Sequence, residues 1–166
     1  WILDGPIHYI DLIQWYFQGV SKPLSLYSVA NFSKDKALVD NFSTVIRFSE
    51  DSYGVLHYSM GGFGHYITVK IVGDDGAIWA SWEGAEGTST EPKFHLEYGW
   101  GKVRCECNIE KPAGEVFDLK AEIEEVVRTV REGGSSSLAT GYDGREAVRL
   151  CLAAERSIQS GKIEEI

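Results

Sequence analysis

Two carboxylates and one imidazole stand close together near the start of the chain, at Asp4, His8 and Asp11. Pro6 is favoured at the first position of a helix, where no backbone N–H is needed, so Gly5 is predicted as the cap and Asp4 as a residue just outside it. His8 and Asp11 are three residues apart and would share one helix face. A carboxylate beside an imidazole at the positive end of a helix can act as an acid–base pair. On spacing alone, a capped helix with an ordinary surface histidine remains the alternative.

The composition is typical of a folded globular protein and argues against two classes of partner. The chain has 166 residues, of which 43% are hydrophobic, which is enough for one domain, or slightly more, with a real core. Its net charge of −9 argues against nucleic acid, since phosphate binding needs clustered Lys and Arg. The same charge argues against an anionic membrane surface, and no apolar run reaches the roughly 20 residues of a membrane span. We therefore expect neither a nucleic-acid nor a membrane partner.

The cysteines predict reduced thiols. The chain has three of them: Cys105 and Cys107 alternate within one segment, and Cys151 stands alone. An odd number of cysteines without a disulfide framework is typical of a cytoplasmic protein. A Cys-x-Cys pair could supply two metal ligands, but no second cluster completes such a site, so we predict no bound metal.

The elements that must position these residues follow the order helix, strands, helices. Helical spacing of apolar residues predicts helices over 6–18, 117–131 and 143–160, with Asp143 as the cap of the last one. Alternation and turn residues predict strands near 24–32, 41–49, 53–60, 65–72, 77–82, 93–99 and 102–109, and a short terminal strand after Gly161. The short connections between strands, such as Glu50-Asp51-Ser52, require antiparallel pairing. This order is the α+β pattern.

The predicted strands carry apolar residues on both faces. In the strand near 65–72, for example, Ile67, Val69 and Ile71 oppose Tyr66 and Val72. A sheet with one face in water should alternate more cleanly. We therefore expect helices on one face of the sheet and a partial apolar cover, such as a second subunit, on the other.

Three segments of the chain resemble one enzyme family. Residues 4–12, Asp-Gly-Pro-Ile-His-Tyr-Ile-Asp-Leu, are similar to its D-x-x-x-H-x-x-D motif. Residues 72–78 are similar to its turn of two spaced glycines, and residues 140–161 to its closing "G-x-D-G-x-x-A…S…G" helix. Taken together, residues 1–166 resemble the C-terminal domain of the glucose–fructose oxidoreductase / inositol dehydrogenase / rhizopine-catabolism (Gfo/Idh/MocA) family of NAD(P)-dependent oxidoreductases.

The resemblance implies both an architecture and a site. The architecture is an open, mostly antiparallel sheet with helices on one face and the contacts of a homodimer or homotetramer on the other. The catalytic residues would be His8 and Asp4: His8 exchanges the proton of a substrate hydroxyl, and Asp4 orients His8 or binds the substrate. Asp11 is expected to have a structural role, bonded to nearby backbone or to helix ends. The substrate would be a sugar, a polyol or a related hydroxyl or carbonyl compound.

The resemblance also implies that a cofactor domain is missing from this chain. Family members carry an N-terminal Rossmann domain that holds NAD or NADP, and nothing here has its glycine spacing. We expect no cofactor-binding residue in this chain, no activity without that domain, and a sequence that is a piece of a longer protein. Glu110-Lys111-Pro112 has the letters of the family's catalytic lysine motif but follows His8 instead of preceding it, so Lys111 is predicted not to be catalytic.

Two other functions stay open at this level. One is a non-catalytic binding or assembly module with the same fold; the other is an independent small enzyme that uses His8, Asp11 and Lys111. Of the remaining polar candidates, His57, His65 and His95 lie on or beside strands and could face substrate or solvent. Tyr9 and Trp15 could stack on a sugar ring, but core packing is the better expectation for both.

Overall fold

The computed structural model of the protein describes residues 1–34, 39–61, 65–84, 93–109, 115–134 and 139–166. They form two compact units, one made of Trp1–Gly61 with Ser137–Ile166 and the other of Gly62–Ser136. The elements in chain order are α1 (Pro6–Phe17), β1 (Pro23–Phe32), β2 (Val39–Phe48), β3 (Tyr53–Ser59), β4 (His65–Gly73), β5 (Gly76–Gly84), β6 (Lys93–Trp100), β7 (Val103–Glu106), α2 (Glu115–Glu132), α3 (Gly141–Ser160) and β8 (Glu164–Glu165).

The first unit contains a four-stranded antiparallel sheet with the strand order β3-β2-β1-β8. Glu50 and Asp51 both have positive φ, 59° and 56°, and form the tight turn between β2 and β3. That turn fixes the register in which Val45 lies opposite Val55. The two residues of β8 pair with Ser25 and Leu26 and return the end of the chain to the far side of β1.

Helices α1 and α3 pack against each other, α3 also against β1 and α1 also against β3. Pro6 opens α1 as expected, and Gly5 precedes it without a side-chain cap. The core between helices and sheet is closed by fully buried side chains: Ile10 from α1, Phe42, Ile46 and Phe48 from β2, Leu26 from β1, and Leu150, Cys151, Ala153 and Ala154 from α3. This packing places α1 beside β3, which is the edge strand of the sheet.

The second unit contains a four-stranded antiparallel sheet with the strand order β4-β5-β6-β7, and the helix α2. One face of this sheet is largely apolar, because the register aligns Ile67 with Trp82, and Ile71 with Ile78 and then Tyr98. The other face carries charged pairs such as Lys93 with Glu83. Every fully buried hydrophobic side chain of the described residues belongs to the first unit, so the apolar face of this sheet stays partly exposed.

The α+β class and the antiparallel pairing predicted from the sequence are confirmed. The strands, which the sequence analysis treats as one sheet, are divided into two sheets of four. Asp143 is not the cap of α3; that residue is Thr140, and Asp143 lies in the first turn. Trp15 does not pack in the core as expected, since 63% of it is exposed. Residues 110–112, which include Lys111, lie outside the described residues.

Candidate active site

A tight turn leads the chain into α1 and brings Asp4 and His8 to the surface of the first unit. The N–H of Asp4 donates to the carbonyl of Trp1 at 2.9 Å, and the N–H of Ile7 donates to that of Ile2 at 3.0 Å. The N–H of His8 then donates to the carbonyl of Gly5 at 3.3 Å. Asp4 and His8 are both exposed, whereas Ile2 and Pro6 are buried. The backbone is therefore anchored while both candidate side chains remain accessible to a ligand.

An aromatic cluster holds this turn against the sheet. The ring of Tyr58, on β3, contacts Trp1 edge-on at 5.5 Å and Tyr9 at 5.7 Å between centroids. Partial burial, and secondarily the neighbouring Tyr58, raise the pKa of Tyr9. Tyr9 packs against the hydrophobic core, as predicted, and is not a free stacking platform. Its role is to fix the start of α1.

Asp11 lies one turn after His8 and is half-buried. Burial raises the pKa of Asp11, the negative charge of Asp143 raises it further, and His8 acts in the opposite direction. The structure thus brings Asp143, at the start of α3, into the electrostatic surroundings of Asp11. The sequence analysis assigned Asp143 only to capping. Its proximity to Asp11 follows from the packing of α1 on α3, which local sequence patterns do not indicate.

Asp143 is itself tightly held by the cap of α3. Its carboxylate accepts hydrogen bonds from the N–H of Thr140 at 2.7 Å and from the Thr140 hydroxyl at 2.6 Å. In return the N–H of Asp143 donates to Thr140 Oγ1 at 3.3 Å, which completes a capping box. These bonds lower the pKa of Asp143, so it stays ionised beside Asp11.

The other histidines are each engaged elsewhere. His57, on β3, shares a hydrogen bond of 2.8 Å with the hydroxyl of Ser43 on the neighbouring strand. His65 contacts the ring of Trp82 edge-on at 5.0 Å between centroids. His95 lies between two carboxylates, 3.7 Å from Glu97 and 3.6 Å from Glu106.

The described residues contain no strand–helix–strand unit of the Rossmann type. Both sheets are antiparallel, so the parallel strand–helix–strand unit that presents a phosphate-binding turn does not occur in this part of the chain. Across the same ranges, no three His, Cys, Asp or Glu side chains are grouped closely enough to hold a metal ion. None of the helices in these ranges is long and apolar enough to span a membrane.

Comparison with known proteins finds a family model that matches the first part of the chain and solved structures that share its fold. Residues 1–79, which contain the Asp4–His8 turn, the first four strands and the start of β5, match the family model described as the GFO/IDH/MocA C-terminal domain. The resemblance to this domain found in the sequence is thereby confirmed over residues 1–79. No curated protein sequence matches the chain.

Solved structures of oxidoreductases share the fold over nearly the whole chain. The aldose-aldose oxidoreductase from Caulobacter crescentus, crystallised with glycerol, has a TM-score of 0.75 and 15% identity, and the match covers 99% of this chain and 47% of that one. An oxidoreductase from Agrobacterium radiobacter, in complex with NAD+, L-tartaric acid and magnesium, has a TM-score of 0.74 and 15% identity, and the match covers 99% of this chain and 48% of that one. The UDP-N-acetylglucosamine 3-dehydrogenase from Acidithiobacillus ferrooxidans has a TM-score of 0.74 and 16% identity, and the match covers 96% of this chain and 47% of that one. The chain spans about half the length of these proteins.

Proposed function

We propose that residues 1–166 are the substrate-binding and oligomerisation domain of an NAD(P)-dependent oxidoreductase that acts on a sugar, a polyol or a related hydroxyl or carbonyl compound. A Rossmann domain, outside this sequence, would complete the enzyme in the whole protein. The observation that carries the proposal is the exposed Asp4–His8 turn, anchored at the start of α1 within the segment that matches the family. Three free thiols support a cytoplasmic location.

In this proposal His8 handles the substrate proton. When an alcohol is oxidised, its O–H proton must leave while the C–H hydrogen departs as hydride, so a base within reach of the hydroxyl accelerates the step. NAD or NADP, bound by the Rossmann domain, would take up or supply that hydride. His8 accepts the hydroxyl proton, or returns it in the reverse direction. Asp4, exposed on the preceding turn, orients His8 or binds a substrate hydroxyl.

The apolar face of the second sheet supports the oligomerisation part of the proposal. Ile78, Tyr98, Trp100 and Val103 lie on this face and are 40–51% exposed. Contiguous apolar surface of this kind marks an interaction site, and a second copy of the chain offers the same surface for a two-fold contact. We expect Ile78→Glu to lower the mass measured by light scattering. Thr68→Glu, on the opposite face of the same sheet, is the matched control and should leave the mass unchanged.

Binding of substrate can be tested on the chain itself by NMR. We expect sugars, inositols or other polyols to shift the resonances of Asp4 and His8 in the 166-residue protein, and His8→Ala to weaken that binding about 10-fold or more. His57→Ala, which removes an exposed histidine on the sheet, is the control and should bind normally. Shifts confined to other parts of the chain, or equal binding by both variants, would contradict the assignment.

Catalysis requires the whole natural protein. There we expect NAD(P)-linked oxidation of a polyol that falls by about 100-fold or more in His8→Ala with little change in thermal stability. The 166-residue chain titrated with NADH should show no micromolar binding by fluorescence. Substrate binding at His8 without any turnover by the whole protein would instead favour a non-catalytic binding module.

A further inference from the structure

Tyr58 is held against the turn that presents Asp4 and His8. It lies near the end of β3, the edge strand of its sheet, and is half-buried. Its ring contacts that of Trp1 at 5.5 Å and that of Tyr9 at 5.7 Å between centroids. Trp1 precedes the turn and Tyr9 follows it, so aromatic side chains from both ends of the turn fix the position of the Tyr58 ring.

The hydroxyl of Tyr58 reaches this turn at Gly5. A Cβ placed on Gly5 would lie 2.5 Å from the hydroxyl oxygen, so the oxygen stands in the direction of a side chain at that position. Gly5 has helical φ and ψ of −88° and −59°, and the residues three and four positions further along a helix share its face. These residues are His8 and Tyr9. The hydroxyl therefore lies on the side of α1 that carries His8, next to the residue that follows Asp4.

This hydroxyl has unused hydrogen-bonding capacity. Among the described residues, Tyr58 forms ring contacts but its oxygen has no hydrogen-bond partner. The oxygen is accessible to solvent, since the buried side-chain polar atom without a partner in this part of the chain is Gln14 Nε2. A phenol hydroxyl both donates and accepts, and a group whose ring is already fixed loses little freedom when a ligand binds. The turn thus offers a preorganised polar group beside its two candidate catalytic residues.

We propose that Tyr58 is a specificity-determining residue of the substrate site, whose hydroxyl forms a hydrogen bond with a second hydroxyl of a sugar or polyol while the reacting hydroxyl meets His8. This inference rests on the proposed function of His8. A site built to hydrogen-bond a hydroxyl discriminates against an analogue that lacks it, because the polar group of the protein is then left unpaired. Tyr58 selects polyhydroxy compounds over alcohols with a single hydroxyl, and it takes no part in the proton transfer.

The test is ligand binding to the 166-residue chain, followed by NMR at Asp4 and His8 with D-glucose, myo-inositol, xylitol and glycerol as probes. Tyr58→Phe keeps the ring and its contacts and removes only the hydroxyl. We expect it to weaken the binding of a probe that shifts these resonances by about 3- to 10-fold, the contribution of one neutral hydrogen bond. Tyr53→Phe removes an exposed hydroxyl from the other face of the same strand. It is the matched control and should bind normally.

Deoxy analogues of the bound probe separate a direct contact from a structural effect. In the natural chain, one analogue that lacks a single hydroxyl should bind more weakly than its parent by a similar factor. In Tyr58→Phe, this analogue and its parent should bind equally, because the group that tells them apart is gone. A purely structural role of the hydroxyl would instead weaken the parent and every analogue alike and would lower the melting temperature of Tyr58→Phe.

Three outcomes would overturn the inference alone. They are unchanged binding in Tyr58→Phe, an equal loss in Tyr53→Phe, and a uniform loss for the parent and all of its analogues. In each of these cases the proposed function stands if His8→Ala weakens binding. A set of probes that leaves the resonances of Asp4 and His8 unshifted would contradict the proposed function, and this inference with it.

Discussion

The phenol of Tyr58 occupies the space into which a side chain on Gly5 would project. A Cβ on Gly5 would lie 2.5 Å from the Tyr58 hydroxyl oxygen and 3.0 Å from the carbon that bears it. The φ of Gly5 is −88°, so any residue could adopt this backbone, and the glycine is required for close approach and not for its conformational freedom. The contact joins the turn that presents Asp4 and His8 to the sheet.

We therefore expect Gly5→Ala to lower the free energy of unfolding by roughly 1–3 kcal/mol, because an added methyl group must displace a packed ring. Tyr58→Phe removes the nearest atom, so Gly5→Ala should cost clearly less in that background. Denaturant unfolding of the four proteins of this cycle gives the coupling. Equal costs in both backgrounds would mean that the penalty comes from helix capping and not from Tyr58.

Ser157, fully buried near the end of α3, bonds to β1 beyond the two residues that pair with β8. Its hydroxyl accepts the N–H of Ser28 at 2.9 Å and donates to the carbonyl of Lys162 at 2.6 Å. Ser157→Ala would leave both backbone groups without this partner, and we expect a loss of about 1–3 kcal/mol in unfolding free energy. The exposed Gln159→Ala, on the same helical turn, should change stability by less than about 0.5 kcal/mol. Similar values for the two variants would contradict this role.

Local features of the sequence were sufficient to predict the elements. Pro6 and the apolar spacing after it place α1 within one residue of Pro6–Phe17, and Glu50-Asp51 marks the turn that pairs β2 with β3. Such features depend on the chain within a few residues, where backbone preferences dominate.

Features that depend on distant parts of the chain could not be predicted. Asp11 and Asp143 approach each other only because α1 packs on α3, and no local spacing reports that contact. The division of the strands into two sheets is likewise a matter of pairing between segments. Trp15 is exposed although hydrophobicity alone favours burial, because the core side of α1 is already filled by residues such as Ile10.

The three thiols should differ sharply in reactivity. Cys151 is fully buried in α3, and burial raises the pKa of its thiol to about 12, so almost no reactive thiolate exists at neutral pH. Cys105 and Cys107 are half-buried at the edge of the second sheet. Iodoacetamide at about pH 8 should modify these two in the native protein and reach Cys151 only after denaturant is added, which peptide mass spectrometry resolves. Early modification of Cys151 would show that α3 opens locally.

Asp11 and Asp143 should contribute to stability with opposite dependence on pH. The pKa of Asp11 is raised above 3.8 in the folded protein, so its contribution to stability is present below that value and is lost as pH rises through the folded pKa. The pKa of Asp143 is lowered, so its contribution is present above 3.8 and is lost as pH falls through the folded pKa.

Urea unfolding at about pH 3 and about pH 7 tests this opposition, since the two values lie on either side of an ordinary aspartate pKa. Relative to that of the natural protein, the free energy of unfolding of Asp11→Asn should be larger at the higher pH than at the lower one. Asp143→Asn should be most destabilising at the higher pH, because it removes the charged half of the capping box with Thr140. If the effect of each variant on the free energy of unfolding shifted in the same direction between the two pH values, the pKa of Asp11 would not be raised in the folded protein.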